Sequence, residues 1–318
     1  VGSGGRALML HPDIAAALAS LPAPPPGPIE VGVLRAAEEA QVHASADRTP
    51  SVAVRDATAS TPVGEVPVRI YTPDAAPTHG LAVYFHGGAY FLGSLETHDQ
   101  VARNLTLASG LTVISVGYRR APEASFPAGL DDCYAVVRWA FENGGELGWD
   151  ARTLAVVGDS SGGTLAAAVA ALAHDDGFDA ITHQVLLYPC VDLDFDESRY
   201  ASLRENATGY GLQTAGLKPF NAFYVDSGAD PDDPRVSPIK RADLSGLPPA
   251  LIVTAEHDPL RDEGELYGRR LAAAGVPATV SRYAGATHGF AQHFAWLPEY
   301  HRVFDQVADF LSVSALHH

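Results

Sequence analysis

Cysteine is nearly absent from this chain. Two residues, Cys133 and Cys190, cannot build a disulfide scaffold in 318, and each sits among core-type neighbours, which fits a reducing compartment. Long apolar runs are missing as well. The longest, such as residues 165–173, reach about half of the roughly 20 residues a membrane-spanning helix needs. The N-terminal stretch lacks a charged segment followed by an apolar one, so no signal peptide is read and a cytoplasmic protein with no membrane partner is expected. Positive charge is scarce: 21 Lys and Arg stand against 38 Asp and Glu, a formal balance of −17. No basic cluster interrupts that acidity, so nucleic acid and anionic membrane surfaces are poor partners. Nor is there a repeat of fixed period.

What is present is the composition of a packed globular protein, with 47% hydrophobic and 19% charged residues, unlike that of a disordered chain. The length suits two ordinary domains or one large α/β unit. Apolar residues alternate over 66–71, and short, nearly continuous apolar runs follow at 81–85, 112–116, 154–157, 184–188, 250–254 and 278–283. Runs of that kind are strands covered on both faces. Helix-like windows fall between and after them, at 98–109, 127–142, 161–173, 261–274 and 298–311. The alternation predicts an α/β fold with a mostly parallel sheet flanked by helices.

Two regions lie outside this alternation. Near the N-terminus, Ile14, Leu18 and Leu21 are at helical spacing, and a breaker run over 22–28 separates them from a second helical stretch that begins at Val31 and Leu34 and runs to about Ala46. Between Asp192 and Pro249 the chain is too long for a simple connection, and it carries one helical face, Leu212, Gly216, Phe220, Phe223 and Tyr224. The expected organisation is therefore N-terminal cap helices over 1–50, a catalytic core over 51–191, a cap insertion over 192–236, and the rest of the core over 237–318.

The chemistry concentrates at few places. Gly158-Asp159-Ser160-Ser161-Gly162 follows a strand and opens an alanine-rich helix, the context in which a serine on a tight turn exposes its hydroxyl. The plain alternative is a glycine-rich loop that packs a helix on a strand or binds a phosphate. His86-Gly87-Gly88-Ala89 follows another strand. Backbone N–H groups on such a small-residue loop suit the negative charge that acyl transfer builds on a former carbonyl oxygen, although a simple glycine turn has the same composition. A serine nucleophile needs a histidine to take its proton and a carboxylate to hold that histidine, in the chain order Ser, Asp or Glu, His. Among 13 histidines, His288 lies just past the last strand, and Asp258 just past the strand ending at Thr254. Ser160, Asp258 and His288 then share the carboxyl edge of the sheet, where open α/β sheets bind ligands. Asp262 and Glu263 read as first-turn acids favoured by the helix dipole. His257 beside Asp258 is a neighbour pair, and no residues converge at metal-ligand spacing.

Several runs together resemble one family. They are Val83-Tyr84-Phe85-His86-Gly87-Gly88-Ala89-Tyr90, Gly117-Tyr118-Arg119-Arg120-Ala121-Pro122-Glu123 with Phe126-Pro127-Ala128, residues 158–163, Leu247-Pro248-Pro249-Ala250, and residues 256–264. This pattern is similar to the bacterial hormone-sensitive-lipase family (family IV) of α/β-hydrolase esterases, over roughly 66–310. The resemblance implies an eight-stranded α/β-hydrolase sheet with a helical cap, and hydrolysis of short- to medium-chain acyl esters without a cofactor. Carried over by position, it makes Ser160 the nucleophile, Asp258 the orienting acid and His288 the base. The N–H groups of Gly88, Ala89 and Ser161 become the oxyanion hole. Two residues depart from the family pattern: Ala89 replaces the third glycine of the loop and would be strained at positive φ, and Ser161 stands where alanine is usual. His86 and Gly87 are expected to support the loop and Asp159 the elbow. Tyr90, Tyr188, Leu212 and Phe290, with Phe91, Tyr210, Phe220 and Phe223, are candidates to wall the pocket, and each is equally a core residue by type. The small-molecule partner is an ester. A hydrolase of another acyl bond (amide, lactone or carbonate) would keep the same machinery, and a non-catalytic receptor would not need all three of Ser160, Asp258 and His288. The resemblance also points to a homodimer through the edge strand 278–283.

Overall fold

The computed structural model describes residues 9–20, 29–45, 51–74, 80–149 and 151–312. Leu21, the breaker run 22–28 and Ala46 lie outside the described residues. Helices α1 (Pro12–Ser20) and α2 (Val31–Ser45) come first, followed by the hairpin β1 (Ala53–Thr61) and β2 (Gly64–Thr72). Then come β3 (Gly80–Phe85), α3 (Asp99–Ser109), β4 (Thr112–Val116), α4 (Ala128–Glu142), β5 (Thr153–Asp159), α5 (Ser161–Asp175) and β6 (His183–Leu187). After α6 (Ser202–Glu205) and α7 (Thr214–Val225) the chain returns to β7 (Ala250–His257), α8 (Arg261–Ala273), β8 (Ala278–Thr287), α9 (Phe290–His293) and α10 (Pro298–Ser312).

The eight strands form one sheet in the order β1-β2-β4-β3-β5-β6-β7-β8. Only β2 runs against its neighbours; from β4 to β8 every pairing is parallel. Strand side chains alternate between two cores. Val83 and Val156 pack toward Val136 of α4, Ala170 of α5 and Leu271 of α8, whereas Tyr84 and Val157 face Leu105 of α3, Phe304 of α10 and Ile14 of α1. Both faces being covered explains why the strands read as continuous apolar runs. α10 has the opposite signature, burying Tyr300, Val303, Phe304, Val307 and Leu311, one stripe at helical spacing.

Seven strands match the sequence windows to within a few residues. β1 has no counterpart among them, because Ala53–Thr61 is an edge strand in which only Ala59 is buried, so neither a continuous apolar run nor a clean alternation marks it. The helical face expected around 212–224 is also shifted. α7 starts at Thr214, so Leu212 precedes it, and the helix buries Leu217, Asn221 and Tyr224 rather than Gly216, Phe220 and Phe223. Among the described residues no helix is long and apolar enough to cross a membrane.

Because β3, β5, β7 and β8 are parallel, the loops that follow them emerge at one edge of the sheet. This brings residues 86–90, Ser160, Asp258 and His288 together.

Candidate active site

Ser160 sits between β5 and α5 with φ 52° and ψ −121°, a sparsely populated conformation that costs about 1–3 kcal/mol and needs a supporting frame. The frame is visible. Its N–H donates to Leu187 O at 2.9 Å, and its carbonyl accepts from Gly163, Thr164 and Cys190. The two flanking glycines are required by space: a Cβ on Gly158 would lie 2.1 Å from Gly162 O, and one on Gly162 would lie 2.0 Å from Phe85 O. The turn can therefore be this tight only with no side chain on either side of Asp159–Ser161.

His288 follows β8 directly. Its Nε2 is 2.9 Å from Ser160 Oγ and its Nδ1 is 2.7 Å from Asp258 Oδ2. A carboxylate partner puts the proton on Nδ1 and leaves Nε2 to accept from the hydroxyl. Asp258 is fully buried and its other oxygen accepts Leu260 N–H at 2.8 Å, which fixes the carboxylate plane. Burial disfavours the imidazolium of His288, yet the Asp258 charge and hydrogen bond outweigh it, so the pKa lies above the ordinary histidine value. Asn206, just after α6, donates to the backbone carbonyl of Asp258 at 3.0 Å, and Ser202 Oγ donates to Pro259 O at 2.7 Å. Neither tie is visible in sequence, since each joins segments some fifty residues apart.

The loop after β3 packs beside the elbow. Among the described residues the amides of Gly88, Ala89 and Ser161 have no acceptor, and all three residues line the same cavity as Ser160. Gly88, Ala89 and Tyr90 have φ of 116°, 49° and 66°, so Ala89 does occupy the left-handed region in which a Cβ is strained. Asp159 anchors the loop to the elbow: Oδ1 accepts Gly87 N–H at 2.9 Å and Tyr84 O–H at 2.5 Å. His98 Nε2 lies 3.5 Å from Asp159 Oδ2, both side chains being buried. Burial opposes both charges, but each partner's charge overcomes it, raising the His98 pKa and lowering that of Asp159. His86 is stacked on Tyr118 with centroids 4.3 Å apart, and its Nδ1 lies 2.8 Å from Gly87 O. Burial brings its pKa down to about 3, so it is a neutral brace.

A cavity of about 520 Å³ opens over Ser160, within the range of small-molecule sites. Tyr188, Tyr210, Leu212 and Phe220 line it, as the sequence reading expected. Tyr90 and Phe290 do not. Tyr90 stacks on Tyr224 at 3.8 Å, and Phe290 is fully buried against Tyr283 and Tyr188, both held by aromatic partners that keep them in the core. Phe91 also misses the cavity, packing on Phe223. The reading missed Glu38 and Gln41 of α2, His98, Gln292 and His293. Glu38 and Gln41 lie on a helix far from the motifs and look like a solvated face, while His98 just before α3 and Gln292 and His293 of α9 follow no pattern that tells a cavity residue from a surface one.

The sequence profile of the α/β-hydrolase fold matches residues 82–292. The chain belongs to that family, in its hormone-sensitive-lipase branch. The chain is 43% identical over 239 residues to Carboxylesterase NlhH of Mycobacterium tuberculosis, covering 74% of each chain. An arylesterase of Saccharolobus solfataricus is 43% identical over 71% of this chain and 73% of its own. Among solved structures, the hyperthermophilic esterase of the archaeon Pyrobaculum calidifontis superposes with a TM-score of 0.88 at 39% identity, covering 96% of this chain and 98% of that one.

Proposed function

We propose that the protein is a serine carboxylesterase hydrolysing short- to medium-chain acyl esters through an acyl-enzyme intermediate. The observation that carries this is the hydrogen-bonded series Ser160 Oγ, His288, Asp258 at 2.9 and 2.7 Å, beside amides that have no acceptor among the described residues. Ser160 Oγ attacks the ester carbonyl as His288 Nε2 takes its proton, while Asp258 holds the imidazole and balances its charge. The oxyanion is met by the N–H groups of Gly88, Ala89 and Ser161 and by the positive end of α5. His288 then gives the proton to the departing alcohol. Water repeats the sequence on the acyl-enzyme, with His288 again as base, and frees the acid and Ser160.

α1, α2 and the 192–236 insertion act in this reading as a helical cap. Their residues Leu18, Gln41, Leu212 and Leu217 share the cavity with Ser160, so they set which esters fit. A cytoplasmic location belongs to the same reading, in keeping with Cys133 and Cys190, both free and buried. So does a homodimer through β8, whose outer edge has no strand partner among the described residues; sedimentation at micromolar concentration is expected to give twice the chain mass, and a monomeric mass rejects it.

Turnover of a p-nitrophenyl ester series tests the function. Wild type is expected to hydrolyse acetate to octanoate esters, and Ser160→Ala to lose at least about 10⁴ in kcat. Equal rates for the two proteins, or none on any ester, would overturn the proposal.

A further inference from the structure

α2 does more than roof the cavity: it grips the loop that carries two of the proposed oxyanion donors. Arg35 Nε donates to Phe91 O at 2.7 Å and Nη2 donates to Ala121 O at 3.0 Å. The same fork holds Glu123 at 2.6 and 3.0 Å. Three residues further on, and so on the same face of the helix, Glu38 Oε2 accepts Gly93 N–H at 2.9 Å. From the sheet side, Arg120 donates to the Gly93 carbonyl.

These anchors lie one step from the donors. Gly88 O accepts the amides of Phe91 and Leu92 at 3.1 and 2.7 Å, which folds the held segment back on Gly88. Gly93 presses against the same strand end, since a Cβ there would lie 2.1 Å from Gly87 O. Immediately before the anchored residues Phe91 and Gly93 run the three consecutive left-handed residues Gly88, Ala89 and Tyr90. Non-glycine residues keep that conformation only where their surroundings over-determine it, and here α2 supplies two of the restraints.

We propose that Arg35 and Glu38 are positioning residues: docking of α2 sets the Gly88 and Ala89 amides, so the oxyanion nook is complete only with α2 seated. This rests on the reading of those amides as oxyanion donors. Releasing α2 slackens the loop and removes transition-state stabilisation, while the apolar wall formed by Leu212 and Leu217 still holds the substrate.

The test compares full-length wild type with Arg35→Ala, Arg35→Lys, Glu38→Ala and Glu38→Gln on p-nitrophenyl butyrate, with Ser160→Ala alongside and thermal melts to verify folding. Both alanine variants are expected to lose about tenfold to hundredfold in kcat, as a loop displaced by about 1 Å does, with KM within about threefold of wild type. Glu38→Gln keeps an amide oxygen that accepts Gly93 N–H, and recovers most of the loss. Arg35→Lys cannot fork and recovers little. Affinity for a trifluoromethyl ketone, which forms an oxyanion on Ser160, is expected to fall in step with kcat. A rise in KM with kcat unchanged, equal losses in both Glu38 variants, or unmoved ketone affinity would overturn the proposal. Should an alanine variant fail to fold, the volume-preserving pair decides: wild-type kcat in Arg35→Lys refutes the role of the fork. If Ser160→Ala abolishes turnover while the α2 variants keep wild-type kcat, only this proposal falls; if Ser160→Ala stays active, both readings fall together.

Discussion

The protonation of the base follows first from two side chains, His288 and Asp258. His288 accepts a proton from Ser160 only as the neutral imidazole, and the Asp258 charge raises its pKa above the ordinary value against the pull of burial. The acid limb of kcat/KM for the free enzyme therefore falls above about 6.5, the ordinary histidine value. Asp258→Asn removes the charge that raises it. That variant is expected to lose about 10⁴ in kcat and to shift whatever limb remains to lower pH. A pH–rate profile measures both, and an unmoved limb would assign it to another group. His86, buried close by with its pKa at about 3, stays neutral throughout this range and does not contribute to the limb.

Elements are tied together by buried polar groups that the helix-dipole reading did not anticipate. Glu263 does lie in the first turn of α8, but it is fully buried and its Oε1 accepts the amides of Val191 and Asp192 at 2.8 and 3.2 Å. It therefore joins α8 to the loop after β6, instead of facing solvent at the dipole. Burial, then the nearby Asp192 charge, push its pKa well above the usual carboxylate range, so the native state holds a proton that the unfolded chain releases above about 4.5. The native state then binds more protons than the unfolded one, and this group's contribution to stability falls as pH rises from there. Glu263→Gln mimics the protonated acid and removes that slope. Denaturant titrations at pH 5 and pH 8 are expected to show the variant gaining on wild type at the higher pH, and a constant difference would mean that Glu263 is ionised in the folded protein. The elbow joins elements by close packing instead: β3, β5 and α5 meet where Gly158 and Gly162 leave no room for a Cβ.

For the whole molecule, the sheet supplies the reacting groups while helices from distant parts of the sequence shape the space above them. Leu212 borders the cavity and is only partly buried, so a larger side chain there can project into the substrate space without disturbing the core. Leu212→Trp is expected to lower kcat/KM for octanoate esters by about tenfold or more while acetate esters change by less than about threefold, since a filled pocket excludes added methylenes worth about 0.8 kcal/mol each. A chain-length series reads this directly, and uniform loss across the series would place Leu212 away from the acyl path.

Local signals in the chain suffice for the α/β class, seven of the eight strands, the five helices that flank the sheet, and the triad candidates. Burial on both faces makes a strand a continuous apolar run, the bend at Ser160 demands small neighbours, and parallel strands deliver Ser160, Asp258 and His288 to a common edge. Those requirements are short-range or follow from strand direction, so they leave marks in the sequence. β1 leaves none, because an edge strand with one buried residue carries no apolar pattern. The cavity wall was legible only in part: Tyr188, Tyr210, Leu212 and Phe220 line it, whereas Tyr90 and Phe290, equally aromatic and close to the motifs, are turned into the core by Tyr224 and by Tyr283 and Tyr188, and Glu38, Gln41 and His98 reach the cavity from segments whose approach depends on packing. The direction in which a side chain points across a tertiary contact is decided when the segments meet, and only the folded molecule contains that information.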